Sequence, residues 1–218
     1  MSKVKSTQMT LALTKGRILK ETLPLLKSAG IEPVEDLSES RKLHIGTNNP
    51  DVNLLILRGS DVLTYIRQGI ADVGVVGKDM LLEDGGEGLY EMADLRIAKC
   101  RLMTATLKDQ SDEIKSRIRV ATKYVKIAKA YYARMGVQAD IVKLYGGMEL
   151  APLMGLSDEI VDIVDSGRTL EANGLVAKDH IVDISSRLVV NMASKKVKHR
   201  QVVSFIEAVE EAVQLKGE

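Results

Sequence analysis

The residues of this chain with the clearest chemical potential lie in the stretch 162–170, which reads Asp-Ile-Val-Asp-Ser-Gly-Arg-Thr-Leu. Its apolar run with two acids predicts a buried strand that ends at Asp165, then a turn, a short helix over 170–173 and a stop at Gly174. A loop that opens into a helix presents unpaired backbone N–H groups to an anion. Carboxylates beside such a loop suit sugar hydroxyls, so the stretch predicts a ribose 5-phosphate site. Because these residue types are also ordinary caps and turn formers, a structural turn is the alternative.

Cations that follow apolar runs indicate further anion sites. Lys15 and Arg17 flank Gly16, where they could hold phosphate, the arginine as a fork and the lysine as a point charge. Positive charge at a helix start opposes the helix macrodipole, which favours a bound anion over an ordinary solvated helix start. Arg58 directly follows the apolar run 54–57, so we expect its guanidinium to pair with either a protein carboxylate or a bound anion.

Other reactive residue types form no recognisable constellation. The single cysteine, Cys100, lies in an alternating stretch that is typical of packing, and the three histidines, His44, His180 and His199, are dispersed. This spacing gives no zinc motif and no ordered Ser/His/Asp set. No Rossmann glycine fingerprint is present in the sequence either.

The composition is that of a water-soluble globular protein. The 218 residues are 45% hydrophobic and 28% charged, with a formal net charge of +1 and only seven aromatic residues, one Phe and six Tyr. The core must therefore be aliphatic. A balanced charge argues against nucleic acid as the main partner. No apolar run approaches about 18 residues, which argues against a membrane span, and the first eight residues lack a signal-peptide core. With one cysteine, we expect a cytoplasmic protein.

Strand and helix patterns alternate through the chain. The predicted strands are 9–13, 53–57, 71–76, 95–106, 118–121, 139–144, the run ending at 165, and 181–190. The predicted helices are 16–29 with a kink or break at Pro24, one capped by Ser60 and ended by Gly69, one reaching Met135, a short one with Leu150 and Leu153, and 194–215. Such alternation predicts parallel sheets with helices on both faces. Ligands of these folds bind at the carboxyl ends of the strands.

Six glycine-rich or cationic loops each follow a predicted strand. They are 14–17, 58–60, 77–79, 122–123, 146–147 and 166–167. Because the carboxyl ends of parallel strands lie at one edge of a sheet, we expect these loops to gather there and to bind anions.

These motifs resemble one known family. The run 149–170 matches the signature of ATP phosphoribosyltransferase position by position. Further similar stretches are 13–17, 40–43, 57–62, 74–79, 100–102 and 121–124. The chain departs from the common pattern at Leu63 and Val125, where proline is usual, at Arg96 and Ala98, where small residues or glycine are usual, and at Gly147-Met148, where Ser-Val is usual.

The resemblance implies a fold and a site. The fold would be α/β, a two-domain type II periplasmic-binding-protein-like fold with a cleft between domains. Its discontinuous first domain would be 1–100 with 184–218, and 101–183 would be the second domain, which carries the ribose-phosphate loop. The residues implied to bind phosphoribosyl pyrophosphate are Asp162, Asp165, Ser166, Gly167, Arg168 and Thr169. Lys15 and Arg58 would be catalytic, and Gly16, Arg17, Arg41 and Gly59 would meet ATP or pyrophosphate.

The resemblance also implies an activity and a partner. The reaction would be the first step of histidine biosynthesis, in which ATP and phosphoribosyl pyrophosphate give N1-(5-phosphoribosyl)-ATP and pyrophosphate. Mg²⁺ would be held by the diphosphate, with no direct protein cage. The length resembles the short form of the family, which works in a hetero-oligomer with a regulatory subunit resembling histidyl-tRNA synthetase. Two alternatives are a binding protein without chemistry and an interaction subunit whose activity lies in its partner.

Overall fold

The computed structural model describes residues 8–37, 40–109 and 116–216. The strands are β1 Met9–Thr14, β2 His44–Gly46, β3 Val52–Leu57, β4 Val73–Gly77, β5 Leu89–Asp94, β6 Cys100–Leu107, β7 Arg117–Thr122, β8 Gln138–Lys143, β9 Glu159–Val164, β10 Leu175–Ile184 and β11 Ser186–Asn191. The helices are α1 Arg17–Ser28, α2 Gly59–Arg67, α3 Lys78–Asp84, α4 Val125–Arg134, α5 Leu150–Leu153, α6 Arg168–Ala172, α7 Met192–Val197 and α8 His199–Lys216.

The chain forms two compact units, each with its own sheet. Unit 1 comprises Met1–Ala98 and Ser185–Glu218, and unit 2 comprises Lys99–Ile184. The six-stranded sheet of unit 1 has the order β2-β3-β1-β4-β11-β5, and the five-stranded sheet of unit 2 has the order β10-β6-β9-β7-β8. The chain therefore leaves unit 1 once and returns to it once, which makes unit 1 discontinuous.

Both sheets are mixed, so the prediction of parallel sheets is correct only for their centres. In unit 1, β1 runs parallel to β3 and β4, whereas β2 and β11 are antiparallel to their neighbours. In unit 2, β7 runs parallel to β8 and β9, whereas β6 is antiparallel to both β9 and β10. Each unit thus brings the carboxyl ends of three parallel strands to one edge, and these strands are the ones followed by the loops identified in the sequence.

Two long predicted strands are wrong because the chain passes between units inside them. Of the predicted strand 95–106, residues 95–99 are irregular and only residues from Cys100 onward form a strand, β6. Arg96 and Ala98 in the interruption have positive φ, 54° and 49°, a left-handed conformation that a strand does not contain. The predicted strand 181–190 is likewise divided at Ser185 into β10 and β11, which belong to different sheets.

Helix ends also differ from the predictions. Ser60 does not cap α2, because Arg58 is the N-cap residue and the Ser60 hydroxyl donates to Asp61 Oδ1 instead (2.9 Å). α1 is not broken at Pro24 and runs to Ser28, with the exposed proline opposite the side on which its apolar residues pack.

The last predicted helix, 194–215, is two helices. α7 ends at Val197, and the C-cap residue Lys198 donates from Nζ to Asp72 Oδ2 (2.8 Å) and to the Gln8 carbonyl (2.6 Å). The buried Asp72 carboxylate also accepts from Thr10 N (2.8 Å) and Ser194 Oγ (2.6 Å). These bonds fix the helix break against the start of β1 and the residue before β4.

The core of unit 1 leaves no space around Gly74 in β4. A Cβ built there would lie 2.5 Å from Ile66 Cδ1 and 3.0 Å from the Ala12 carbonyl oxygen. Because interiors are close-packed, glycine at this position lets α2 approach the sheet. Within the described residues, no helix is both long enough and apolar enough to cross a membrane.

Candidate active site

The loops after β1 and β3 are joined at the carboxyl edge of the unit 1 sheet. Lys15 N donates to the Leu57 carbonyl (2.8 Å), and Thr14 Oγ1 donates to the Val75 carbonyl of β4 (2.9 Å). Gly16, which lies between Lys15 and Arg17, has φ 87° and ψ −137°, a conformation that favours glycine. The bonds hold the ends of three parallel strands in register, so the exposed side chains of Lys15 and Arg17 project from a fixed edge.

Arg58 occupies the start of α2 at the same edge. Its backbone is extended, with φ −72° and ψ 147°, and its carbonyl accepts from Asp61 N (2.9 Å). The side chain is exposed and makes no hydrogen bond or ion pair with any residue in the described ranges. The next residue, Gly59, is closely packed against the end of β1, because a Cβ at this position would lie 3.3 Å from Thr14 Cγ2. Of the two partners expected for Arg58, the described part of the chain supplies no carboxylate, which favours an external anion.

A pocket of about 430 Å³ in unit 1 joins the loop after β1 to the segment before β2. Its lining residues are Lys15, Gly16, Leu19, Leu37, Ser40, Arg41, Lys42, Leu43, Ile45 and Ile56. The pocket therefore combines an aliphatic floor with three cations, and it places the predicted residue Arg41 beside Lys15 and Gly16.

Glu35 organises the segment that carries Arg41. Its carboxylate accepts from Lys42 Nζ and from Ser40 Oγ, both at 2.9 Å. These two bonds, the lysine first, lower the pKa of Glu35, so the group remains ionised at neutral pH. The bonds hold the backbone on either side of Arg41, whose own side chain is exposed and unpaired among the described residues.

The predicted ribose-phosphate loop lies at the carboxyl edge of the unit 2 sheet. β9 ends at Val164, one residue before the expected end at Asp165. Gly167, with φ 81°, is the N-cap of α6, and its carbonyl accepts from Glu171 N (3.1 Å). The side chains of Ser166 and Arg168 are joined, Arg168 Nε donating to Ser166 Oγ (3.2 Å). The helix starts at Arg168, two residues earlier than predicted.

The two acids of this segment have different surroundings. Asp162 lies within β9, half-buried, opposite Met103 of β6, and its Oδ1 accepts from Ile163 N (2.8 Å). Asp165 lies beyond the strand and is exposed. Strand alternation therefore fixes the face of Asp162 only, because Asp165 is outside the strand.

Neighbouring loops border the ribose-phosphate loop in the sheet order. The Thr122 hydroxyl at the end of β7 donates to the Val161 carbonyl (2.6 Å) and accepts from Tyr124 N (2.9 Å). After β8, Tyr145 has 85% of its surface exposed and lies 5.3 Å from Lys143 Nζ. Tyr145 was not predicted as a site residue, although a large exposed aromatic residue directly after a parallel strand is a signal for a binding surface.

Two further cations were not named as individual site residues, although Lys78 lies in the predicted loop 77–79 and Lys42 in the similar stretch 40–43. Lys42 lies in the pocket of unit 1 with Arg41, and Lys78 begins α3 directly after β4. Lys78 Nζ donates to Glu91 Oε2 (2.5 Å).

The described residues contain no group of three or more His, Cys, Asp or Glu side chains arranged to hold a metal ion. The donor set of both loop edges is instead cationic or backbone N–H, which suits phosphate oxygens.

The chain is similar to known transferases over nearly its full length. The family model described as "HisG: ATP phosphoribosyltransferase" matches residues 58–211. Proteins named ATP phosphoribosyltransferase from Saccharophagus degradans and Hahella chejuensis are 64% and 59% identical over 207 and 208 residues, which is 95% of this chain and 97% and 98% of theirs. A solved chain titled "ATP phosphoribosyl transferase (HisG:HisZ) complex from Thermotoga maritima" is 33% identical, with TM-score 0.81 over 95% of this chain and 99% of that one.

That structural likeness, with two α/β units and two sheets, confirms the predicted type II periplasmic-binding-protein-like fold class. The family matches confirm the resemblance drawn from the signature 149–170. This chain belongs to the ATP phosphoribosyltransferase family.

Proposed function

We propose that this chain is the catalytic subunit of an ATP phosphoribosyltransferase. It would convert ATP and 5-phosphoribosyl 1-pyrophosphate to N1-(5-phosphoribosyl)-ATP and pyrophosphate, the first step of histidine biosynthesis. The supporting observation is the 64% identity, over 95% of the chain, to a protein of that name. The anion loops at the carboxyl edges of both sheets provide independent chemical support.

The reaction exchanges one bond at the anomeric carbon of the ribose. The bond from this carbon to the pyrophosphate oxygen breaks, and a bond to adenine N1 forms, so positive charge develops on the ribose and negative charge on the leaving group. Adenine N1 has an available lone pair and needs no strong base. Catalysis then depends on positioning two anionic substrates and on stabilising the leaving pyrophosphate.

The unit 2 edge is proposed to bind the phosphoribosyl group. The loop residues Ser166, Gly167, Arg168 and Thr169 would hold the 5-phosphate with backbone N–H groups, hydroxyls and a guanidinium. Asp162 and Asp165 would accept hydrogen bonds from the ribose hydroxyls. The left-handed Gly167 sets the direction of these donors at the start of α6.

The unit 1 edge is proposed to bind phosphates of ATP or of the leaving group. Lys15 and Arg58 would be catalytic through the charge that they place on pyrophosphate. The residues Gly16, Arg17, Arg41 and Gly59 would bind ATP or pyrophosphate beside them. Mg²⁺ would supply further neutralisation of the diphosphate, held by phosphate oxygens without a protein cage.

The organisation and setting of the enzyme are also proposals. The two units support a domain assignment of 1–100 with 184–218 for the first domain and 101–183 for the second. The complex of the Thermotoga maritima relative supports a hetero-oligomer with a regulatory subunit, which the family resemblance describes as similar to histidyl-tRNA synthetase. The biosynthetic role and the single cysteine support a cytoplasmic location.

The test is pyrophosphate release by the purified chain with ATP, phosphoribosyl pyrophosphate and Mg²⁺. Each reaction is run with one substrate omitted, with chelator, with histidine, and with or without the regulatory subunit encoded by the same organism. Release that requires both substrates and Mg²⁺ supports the proposal. Substrate binding without release under any condition would instead indicate the binding protein, and neither binding nor release by the isolated chain would indicate an interaction subunit.

A further inference from the structure

The carboxylate of Glu21 connects an anion loop to the place where the chain leaves unit 1. Glu21 Oε1 accepts from Arg17 Nε (2.7 Å), one helical turn earlier in α1. Glu21 Oε2 accepts from Ala98 N (2.8 Å), 77 residues further along the chain. One carboxylate therefore has a different partner on each oxygen, and Ala98 is the last residue of unit 1 before the crossing.

The backbone around Ala98 is strained and needs such support. Arg96 and Ala98 both adopt left-handed conformations, which residues with a Cβ avoid unless surrounding contacts enforce them. Ile97 between them is 2% exposed, and its carbonyl accepts from Ser186 N (3.0 Å), where the chain has returned to unit 1. The bond from Ala98 N to Glu21 Oε2 likewise constrains the backbone at the point where the chain leaves unit 1.

A second carboxylate fixes the preceding part of the crossing. Asp94 Oδ1 accepts from Arg96 N (2.9 Å) and from Ser185 Oγ (2.7 Å), and Asp94 Oδ2 pairs with Arg187 (3.0 Å). None of these bonds involves a residue of the proposed site. Glu21 differs from Asp94 because one of its partners, Arg17, belongs to the loop after β1.

Helix geometry alone does not account for this arrangement. An exposed i,i+4 pair such as Arg17 with Glu21 is ordinarily a weak surface contact. Here the hydrogen bonds from Ala98 and Arg17, in that order, lower the pKa of Glu21, so the group is a carboxylate at neutral pH. A charged acceptor of two bonds orders both donors, and a neutral amide in its place can accept only through its oxygen.

We propose that Glu21 is a positioning residue for the proposed reaction: it orients Arg17 toward the phosphate-bearing substrate and holds the Ala98 backbone at the crossing with the same carboxylate. The proposal rests on the proposed function for its kinetic part only. Its structural part, the dependence of the Ala98 N–H on Glu21, holds for the protein without ligand.

The test is a double-mutant cycle with Glu21→Gln, Arg17→Ala and the pair, and Glu32→Gln as matched control. Glu32 forms an exposed ion pair with Lys27 at the far end of α1 (3.3 Å). We expect Glu21→Gln to lower kcat/KM by about tenfold, equivalent to about 1.4 kcal/mol. In the Arg17→Ala background the same change should cost less than about twofold, because residues that act together are not additive. Glu32→Gln should leave kcat/KM unchanged.

Amide hydrogen exchange provides the readout that needs no activity. In the protein without ligand, Glu21→Gln should accelerate exchange at Ala98 by at least about fivefold while exchange in the centre of the sheet stays the same, since local openings are independent of global unfolding. Glu32→Gln should leave Ala98 exchange unchanged.

The outcomes separate the inference from the proposed function. Unchanged exchange at Ala98 in Glu21→Gln overturns the structural part, and equal losses of kcat/KM with and without Arg17 overturn the kinetic part. Failure of the wild-type chain to release pyrophosphate in the presence of its partner overturns the proposed function instead. In that event binding of inorganic pyrophosphate replaces kcat/KM in the cycle, with the same expected non-additivity.

Discussion

Replacing Arg58 by alanine should separate function from stability. The guanidinium lies exposed at the N-terminus of α2, provides no side-chain cap and pairs with no residue in the described ranges. The backbone bonds that start the helix, from Asp61 N and Val62 N to the Arg58 carbonyl (2.9 and 3.3 Å), do not involve the side chain. The change therefore removes a charge from the proposed site and leaves the local fold intact.

The expected effects on stability and turnover differ in size and sign. A cation at a helix N-terminus opposes the macrodipole by about 0.3–1 kcal/mol, so its loss should leave the free energy of unfolding unchanged or slightly raised. For a protein of this size that is a rise in Tm of about 0–4 °C. Loss of a charge-assisted hydrogen bond to the leaving pyrophosphate costs about 1.5–3 kcal/mol, which is about 10- to 150-fold in turnover.

The assay is pyrophosphate release at saturating ATP and phosphoribosyl pyrophosphate, with thermal unfolding measured on the same preparations. Arg58→Lys keeps the charge and loses the planar fork, so its turnover should lie between those of wild type and Arg58→Ala. Arg200→Ala is the matched control, because Arg200 is also exposed at the start of a helix, α8, and lies outside the proposed site.

Three results would refute the reasoning about Arg58. Turnover of Arg58→Ala within about twofold of wild type would show that the side chain does not stabilise the transition state. A fall in Tm of more than about 5 °C would show that the guanidinium has a structural partner, since an unpartnered surface residue changes stability little. An equal loss of turnover in Arg200→Ala would assign the effect to overall charge.

Three further changes test the packing, the loop and the alkaline stability. Gly74→Ala should lower the free energy of unfolding in urea by about 1–3 kcal/mol through overpacking, whereas Gly46→Ala, whose Cβ would meet its nearest atom at 3.8 Å, should not. Gly167→Ala and Gly155→Ala, at φ 81° and 69° with open space around each, should each lower the free energy of unfolding by about 1 kcal/mol. Only Gly167→Ala should raise KM for phosphoribosyl pyrophosphate. An equal rise in KM in both variants would contradict the loop assignment. Burial raises the pKa of Tyr131 to about 12, so the folded protein favours the neutral phenol. The free energy of unfolding should therefore fall as pH rises from about 10 through about 12, measured by unfolding and by tyrosinate absorbance. A constant free energy of unfolding across that range would contradict this prediction.

Local sequence patterns were sufficient to predict the parts of the fold that place the loops. β1, β3 and β7 follow from short apolar runs, and the cations and glycines after them mark where each strand ends. β1 runs parallel to β3 in one sheet and β7 runs parallel to β8 in the other, as expected for strands of one sheet that are connected through a helix. β11 was not separated from β10 because the residues at the crossing between them, such as Ile184, are apolar or buried, and β5 was missed because none of its residues is buried.

The crossings are hidden for a physical reason. A strand pattern reports which side chains are buried. Burial continues through the second crossing, from Ile184 to Ser186, whereas Lys99 and Arg101 beyond the first crossing are exposed. The turn is instead produced by the left-handed backbone of Arg96 and Ala98, residue types that give no turn signal of their own. Only the family resemblance indicated the boundaries near 100 and 184.

The candidate site shows the same division between local and distant information. The positions of Lys15, Arg17 and Arg58 follow from the strand ends before them, so sequence alone places the cations at an edge. The side chain of Arg17 is bonded to Glu21, whose other carboxylate oxygen accepts from Ala98 N across 77 positions of the sequence. No pattern predicts that contact, since an exposed glutamate on a helix is common. The strand ends that place the cations can therefore be predicted from the sequence, whereas the hydrogen bonds that hold the Arg17 side chain are seen only in the structure.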